Sequence, residues 1–328
     1  MSAQDFSFQN LTPDLILDAI ESLDVRVDSG LLALNSYENR VYQFRLDDNE
    51  RYVAKFYRPE RWTKAQIIEE HTFARELQEA ELPVVAPTLF DGKSLHEFQG
   101  YWFSLFPSVG GRQFEVDNLD QIEWMGRLIG RIHKVASTKN FAHRPDISIV
   151  AYLNEPRERL ANSSILPHHL QHPFMVILEQ VIEETVSQYN TNDTQIRLHG
   201  DCHPGNILWQ DGPIFVDLDD CRQGPAIQDL WMMLSGDRQQ QLLQIDTLIE
   251  AYDEFHHFDH KQLAQIEPLR AMRMVHYMAW LDKRWQDPAF PAAFPWFGED
   301  KYWENQILAL KEQLSSLREP PLSLQLQI

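Results

Sequence analysis

The chain has 328 residues, 43% hydrophobic and 24% charged, which is enough for two domains or one large two-lobed one with a sizeable core. Its formal net charge of -20 opposes a phosphate backbone and argues against nucleic acid as a partner, although a local cationic cluster can offset the global field for a small anion. Two cysteines, Cys202 and Cys221, make no disulfide framework; Met1 to Phe6 lacks the marks of a signal peptide, and no apolar run approaches the roughly 18 residues that span a bilayer, so the expectation is a soluble, cytoplasmic protein.

After a short amphipathic start, the region from about Val25 to Pro107 reads as strands with one helix. Val41 to Leu46 alternates at period 2, Asp47 to Glu50 makes a turn, and Tyr52 to Tyr57 returns as the second strand of a hairpin that carries Lys55. Pro59 ends that strand, and Thr63-Lys64-Ala65-Gln66 has the form of a capping box opening a helix to about Glu79. Phe73, Ala74 and Leu77 mark its buried face, and Glu70 falls on the same side. An acid facing inward needs a cation, and Lys55 is the candidate; Glu69 is the alternative if the facing slips by one residue. Tyr101 to Phe106 is a further apolar strand, closed by Pro107-Ser108-Val109-Gly110-Gly111, the best domain boundary. Beyond it helical spacing dominates, as in Ile122, Met125, Ile129 and Ile132.

The chemistry is concentrated between Ile196 and Asp220. Pro204 and Gly205 break helix there, so Asp201 and Asn206 sit on a bent loop between apolar anchors. Ile214-Phe215-Val216 reads as a buried strand that delivers Asp217 beside that loop. Phosphoryl transfer needs such a set: one carboxylate orients an acceptor hydroxyl, while an amide oxygen and a second carboxylate hold Mg²⁺ on the phosphates. Two carboxylates about 5 Å apart repel by roughly 3 kcal/mol at an effective dielectric near 20, and a divalent ion removes that cost. Each residue alone is ordinary turn material; the joint spacing of Asp201, Asn206 and Asp217 is what carries the reading.

His199-Gly200-Asp201 with Asn206, followed by Asp217, resembles the catalytic loop and metal-binding Asp of the protein-kinase superfamily. Gly200 and Leu218-Asp219 resemble its aminoglycoside and choline kinase branch. Over essentially the full length, including Leu34 to Tyr42, Phe56 to Trp62 and Phe106 to Arg112, the chain resembles the bacterial stress response kinase A family. That resemblance implies an α+β, bilobal, protein-kinase-like fold, with an ATP-binding lobe over residues 1–107 and a helical catalytic and substrate lobe over 108–328. It implies Asp201 as catalytic base, Asn206 and Asp217 as Mg²⁺ ligands, and Lys55 on the α/β-phosphates, paired with Glu70. Ser36 would lie in the loop that covers ATP, and Phe106 to Ser108 would form the adenine hinge. The implied acceptor is a protein Ser or Thr hydroxyl, in a stress response, with the enzyme a monomer.

The phosphate loop departs from the kinase pattern, since residues 35–40 hold no Gly-x-Gly-x-x-Gly and must use Ser and Asn instead. Two rivals share the residues: a kinase of small molecules such as amino alcohols, sugars or aminoglycosides, and an inactive ATP-binding scaffold. Only eleven residues separate Asp217 from Asp229, which matches the small-molecule branch and excludes a long phosphorylated loop. Retention of Lys55, Asp201, Asn206 and Asp217 argues against the scaffold. His199 reads as a brace, and zinc at His199, Cys202 and His203 lacks a fourth ligand. Asp219 and Asp220 read equally as an outer metal shell or a solvated strand end, and Asp229 as a helix N-cap or a brace for the loop. The aromatics from Trp280 to Trp303 read mostly as core, with some lining a cleft.

Overall fold

The computed structural model describes residues 8–324; Met1 to Phe6, read above for a signal peptide, lies outside them. The first helix, α1 (Pro13–Glu21), starts where Thr12 accepts a hydrogen bond from the Leu15 amide and Pro13 presets the first turn. Its face of Ile16, Ala19 and Ile20 is buried against a five-stranded antiparallel sheet. That sheet contains β1 (Leu32–Ala33), β2 (Arg40–Arg45) and β3 (Arg51–Phe56). After α2 (Lys64–Glu79) come β4 (His96–Phe98) and β5 (Tyr101–Pro107), and the spatial order is β1-β2-β3-β5-β4. Alternation sorts β3: Ala54 and Phe56 pack with α1, while Val53 and Lys55 line the opposite face, which looks into a cleft. The hairpin turn works because Asn49 tolerates a positive φ of 71°.

The capping box at α2 is complete, with Thr63 accepting from the Gln66 amide and Gln66 from the Thr63 amide. The buried face of α2 includes Phe73, Ala74 and Leu77, and Glu70 is buried with them.

Helices then dominate. The short β6 (Arg112–Gln113) precedes α3 (Leu119–Ala136), a π-helical turn at Val150–Asn154, α4 (Glu155–Ala161) and α5 (His168–Gln188). Four brief strands follow, β7 (Gln195–Leu198), β8 (Ile207–Trp209), β9 (Pro213–Phe215) and β10 (Arg222–Pro225). β10 pairs with β7, and β6-β8-β9 form a small sheet. The chain ends in α6 (Gln228–Trp231), α7 (Arg238–Asp253), α8 (Ile266–Arg284), α9 (Ala289–Ala293) and α10 (Asp300–Arg318). Phe290, Phe297 and Trp303 are fully buried, whereas Trp280 lines the cleft. The two parts are stitched beneath the cleft: the Phe215 amide donates to the Pro83 carbonyl at 2.8 Å and the Val85 amide to the Phe215 carbonyl at 3.0 Å. Among the described residues no helix is long and apolar enough to cross a membrane.

Candidate active site

The loop after β7 is held before any ligand arrives. Gly200 has φ +84°, and a Cβ there would lie 2.2 Å from the Asp220 carbonyl oxygen, so only glycine lets the loop approach that closely. Asp229, inside α6 and not at its cap, accepts from the His199 amide at 2.8 Å and the Gly200 amide at 2.9 Å. The His133 Nε2 lies 3.2 Å from the same carboxylate. Asp229 is therefore the brace of the loop. His199 Nε2 donates to the Val216 carbonyl at 2.9 Å, which fixes its tautomer and ties the loop to the end of β9.

Pro204–Asn206 forms a single 3-10 turn where helix was not expected; a proline at the first position suits so short a turn. The turn brings Asn206 back over the loop: its Nδ2 donates to the Asp201 carbonyl at 3.0 Å, and its carbonyl accepts from the Val216 amide at 3.0 Å. The next residue, Asp217, has φ 58° and ψ 69°, a left-handed conformation that costs a non-glycine residue and turns β9 sharply into the cleft.

Opposite stands Lys55, almost wholly buried. Its Nζ lies 2.8 Å from Asp217 Oδ1, 3.2 Å from Asp219 Oδ1 and 3.8 Å from Glu70 Oε1. Burial opposes its charge, but Asp217, Asp219 and Glu70 more than compensate and hold its pKa well above the ordinary lysine range. Glu70 is pushed up by burial and by Asp219, against the pull of Lys55 and Arg144. Glu69 points elsewhere: it accepts from the backbone amides of Ala142, His143 and Arg144, at 2.5 to 2.8 Å, and so anchors the loop after α3.

Asp219 is buried rather than solvated, because Arg61, Asn39 and Lys55 all meet its carboxylate. Asp220 pairs with Arg61 at 2.8 Å and Arg222 at 3.2 Å. Arg144 donates to the Asp219 and Cys221 carbonyls. Arg61, Arg144 and Arg222 were not anticipated. Arg61 and Arg144 reach partners 158 and 75 residues away, and a long-range pair leaves no local periodic signal, whereas Arg222 pairs with Asp220 only 2 residues away.

The cleft between sheet and helices has a volume of about 1560 Å³. Val41, Val53, Phe106 and Leu208 give one end an apolar lining, as an adenine-sized ring requires. Ser36 lines the cleft, its hydroxyl donating to the Asn39 carbonyl at 3.3 Å. Ser108 is not brought in: its hydroxyl accepts from Gln43 Nε2 at 2.7 Å and its amide donates to the Arg51 carbonyl. Pro107 and Val109 line the cleft on either side of it.

Loop 35–40 is latched to the far side of the cleft. Glu38 accepts from Arg284 at 2.6 and 3.1 Å and from Trp280 Nε1 at 2.6 Å, and Arg58 lies 3.2 Å from it. Asp287 binds Arg58 at 2.8 Å and Arg40 at 3.2 Å. Tyr37 packs on Phe294 with ring centroids 4.7 Å apart. Ion pairs and aromatic contacts thus do the fixing that glycine-rich backbone does elsewhere.

At the other end Asp201 meets Arg273 Nη1 at 2.5 Å and His203 Nε2 at 3.4 Å. His203 Nδ1 accepts from the Gly205 amide, so Nε2 carries the proton that faces Asp201. Burial works against the Asp201 charge, but His203 and Arg273 outweigh it and bring the carboxyl down to about 2. The only sequence sign of Arg273 is a cation beside the apolar stripe of α8.

Among the described residues no three His, Cys, Asp or Glu side chains gather as a metal cage. The donors that do converge, the Asn206 amide oxygen and a half-exposed Asp217 carboxylate, fit a hard cation that takes its remaining ligands from phosphate and water.

A sheet-rich part over a helical part, with a buried Lys–Glu pair facing two loop carboxylates across a cleft, is the architecture of a kinase-like phosphotransferase. The phosphotransferase enzyme family model matches residues 31–266. Stress response kinase A of Escherichia coli O157:H7 is 53% identical over 324 residues, 99% of each chain. The serine/threonine protein kinase RdoA of Salmonella typhimurium strain LT2 is 52% identical over 324 residues, again 99% of each. An amicoumacin kinase solved with AMP-PNP and Ca²⁺ shares the fold, with TM-score 0.72 at 16% identity over 94% of each chain. The chain belongs to the stress response kinase A family of phosphotransferase enzymes.

Proposed function

We propose that this chain transfers the γ-phosphate of ATP to Ser or Thr hydroxyls of proteins, as a cytoplasmic monomer acting in a stress response. The observation that carries the reading is the convergence of Asp201, Asn206 and Asp217 on one cleft, opposite the Lys55–Glu70 pair. A relative 52% identical over the full chain bears the name serine/threonine protein kinase, which supports the choice of acceptor.

Residues 1–107 then form the nucleotide lobe and 108–328 the catalytic and acceptor lobe. Phe106 borders the adenine, Ser36 lies over the phosphates, and Lys55, oriented by Glu70, binds the α/β-phosphates. Asn206 and Asp217 would hold Mg²⁺, which supplies neutralisation of charge on the β/γ-phosphates. Asp201 accepts a hydrogen bond from the acceptor hydroxyl and aims its oxygen at the γ-phosphorus. As that P–O bond forms, the bond to the β,γ-bridging oxygen breaks, ADP leaves, and the hydroxyl proton passes to Asp201.

A second reading, transfer to a small-molecule hydroxyl, is favoured by the short link from Asp217 to Asp229 and by the fold shared with an amicoumacin kinase. The site itself is tested with γ-labelled ATP and Mg²⁺ on the wild type and on Asp201→Asn and Asp217→Ala. Each variant should lose at least about a thousandfold in transfer. Near-normal transfer by either one contradicts its assigned role.

A further inference from the structure

Four of the five cations that touch the cluster of acids are buried: Lys55, Arg61, Arg144 and Arg222 are each at most 14% exposed. Arg273 is 40% exposed, and among the described residues its one hydrogen-bond or ion-pair partner is Asp201. It approaches from α8, on the acceptor side of the cleft, where Tyr277 and Lys283 also line the wall. Oδ1 of Asp201 is engaged by Arg273, and Oδ2 faces the His203 proton. An acceptor hydroxyl, or a water in its place, therefore meets a carboxylate with both oxygens engaged.

We propose that Arg273 is a positioning residue that caps Asp201 in the absence of an acceptor and so suppresses transfer of phosphate to water. The inference rests on the phosphotransfer reading above. A half-exposed ion pair is weak and its long side chain is free to swing out. A protein acceptor anchored along α8 by contacts of its own can displace the guanidinium from Oδ1 and keep it displaced. A single water has no such contacts and competes poorly for the occupied oxygen. When the cap is missing, water gains the acceptor position: its oxygen bonds to the γ-phosphorus, the β,γ-bridging bond breaks, and its proton passes through Asp201 to solvent. The products are ADP and inorganic phosphate.

The experiment is release of inorganic phosphate from Mg·ATP by the full chain with no acceptor added, and transfer to histone as the protein probe. Wild type is compared with Arg273→Ala, Arg273→Gln, Arg273→Lys and the double variant Arg273→Ala/Asp201→Asn. Arg273→Ala and Arg273→Gln should raise hydrolysis about tenfold, a barrier change near 1.4 kcal/mol, without raising transfer. Arg273→Lys should stay near wild type, and the double variant should lose the gain. A merely structural role would lower hydrolysis and transfer together. Hydrolysis at or below the wild-type rate in Arg273→Gln, with Mg·ATP still stabilising the protein against heat, overturns the cap. So does a gain that survives in the double variant. Absence of any turnover in the wild type would instead overturn the phosphotransfer reading, and the cap with it.

Discussion

At the end of the cleft proposed to hold phosphate, Lys55 is 8% exposed and meets three carboxylates, Asp217, Asp219 and Glu70, within 3.8 Å; at the end proposed to take the acceptor, Arg273 is 40% exposed and meets one, Asp201. The first arrangement is over-determined. Each carboxylate of that set has a further anchor or sits on braced backbone, so removing one contact leaves the others to hold the geometry. Arg273 has a single tie, and the wall beside it includes Tyr277 and Lys283. A site that binds one nucleotide gains from rigidity, because pre-organised groups need no reordering during the reaction. A site that has to admit acceptors gains from groups that move aside. Under the proposed function, the tightly tied end would be common to kinases of either acceptor class, and the end at Arg273 would decide between them.

The contrast is most severely disturbed at Gly200. Gly200→Ala forces a Cβ against the Asp220 carbonyl and a positive φ on alanine, at a cost of about 2–4 kcal/mol. Thermal unfolding should fall accordingly and transfer should collapse; wild-type stability would show that the loop yields more easily than its packing implies. Asp229→Asn comes next. It replaces one of two accepting oxygens by a donor facing backbone amides, for about 2 kcal/mol, without touching the cleft. Its kcat should drop more than its affinity for ATP, and an unchanged kcat would remove the brace from the account.

Glu38→Gln tests the latch. Losing the charge that Arg284, Arg58 and Arg61 share should raise KM for ATP about tenfold with a smaller change in kcat. If KM is unmoved, the latch does not position the loop over the phosphates. The smallest effect is expected at His71, which lies behind the cleft against Tyr57 and Ser94. Burial, with Lys55 and Arg144, lowers its pKa from 6.5 to about 3. The unfolded chain then takes up the proton first as pH falls, so this contribution to stability is complete above about 6.5 and is lost toward 3. His71→Gln should be about 1–2 kcal/mol less stable than wild type at pH 7. The gap should shrink below pH 6.5, and denaturant unfolding at pH 7 and 4.5 would reveal a constant gap if the assignment is wrong.

What could be read from the sequence follows the same division. The capping box at Thr63 and Gln66, the inward face of α2 and the hairpin bearing Lys55 are local patterns, and the pairing of Lys55 with Glu70 over Glu69 follows from the face that Phe73 and Leu77 define. The spacing from Asp201 to Asn206 to Asp217 is legible because a turn and one strand bring the three together. Ser108 turns away from the lining between Pro107 and Val109, and a strand end gives no sign of which side its last residues face. Asp219 reads equally as an outer metal shell or a solvated strand end until Arg61 and Lys55 meet it across the cleft. Arg273 and the Glu38–Arg284 latch join residues 72 and 246 positions apart, and no local rule reaches that far.

The most direct test of the central claim offers the pure protein γ-labelled ATP, with and without Mg²⁺, and lets a basic protein and a small-molecule extract compete as acceptors before separation by size. Label on protein Ser or Thr that disappears without Mg²⁺ is the predicted result. Label confined to the small-molecule fraction would contradict protein phosphorylation while leaving the phosphate end of the cleft as described.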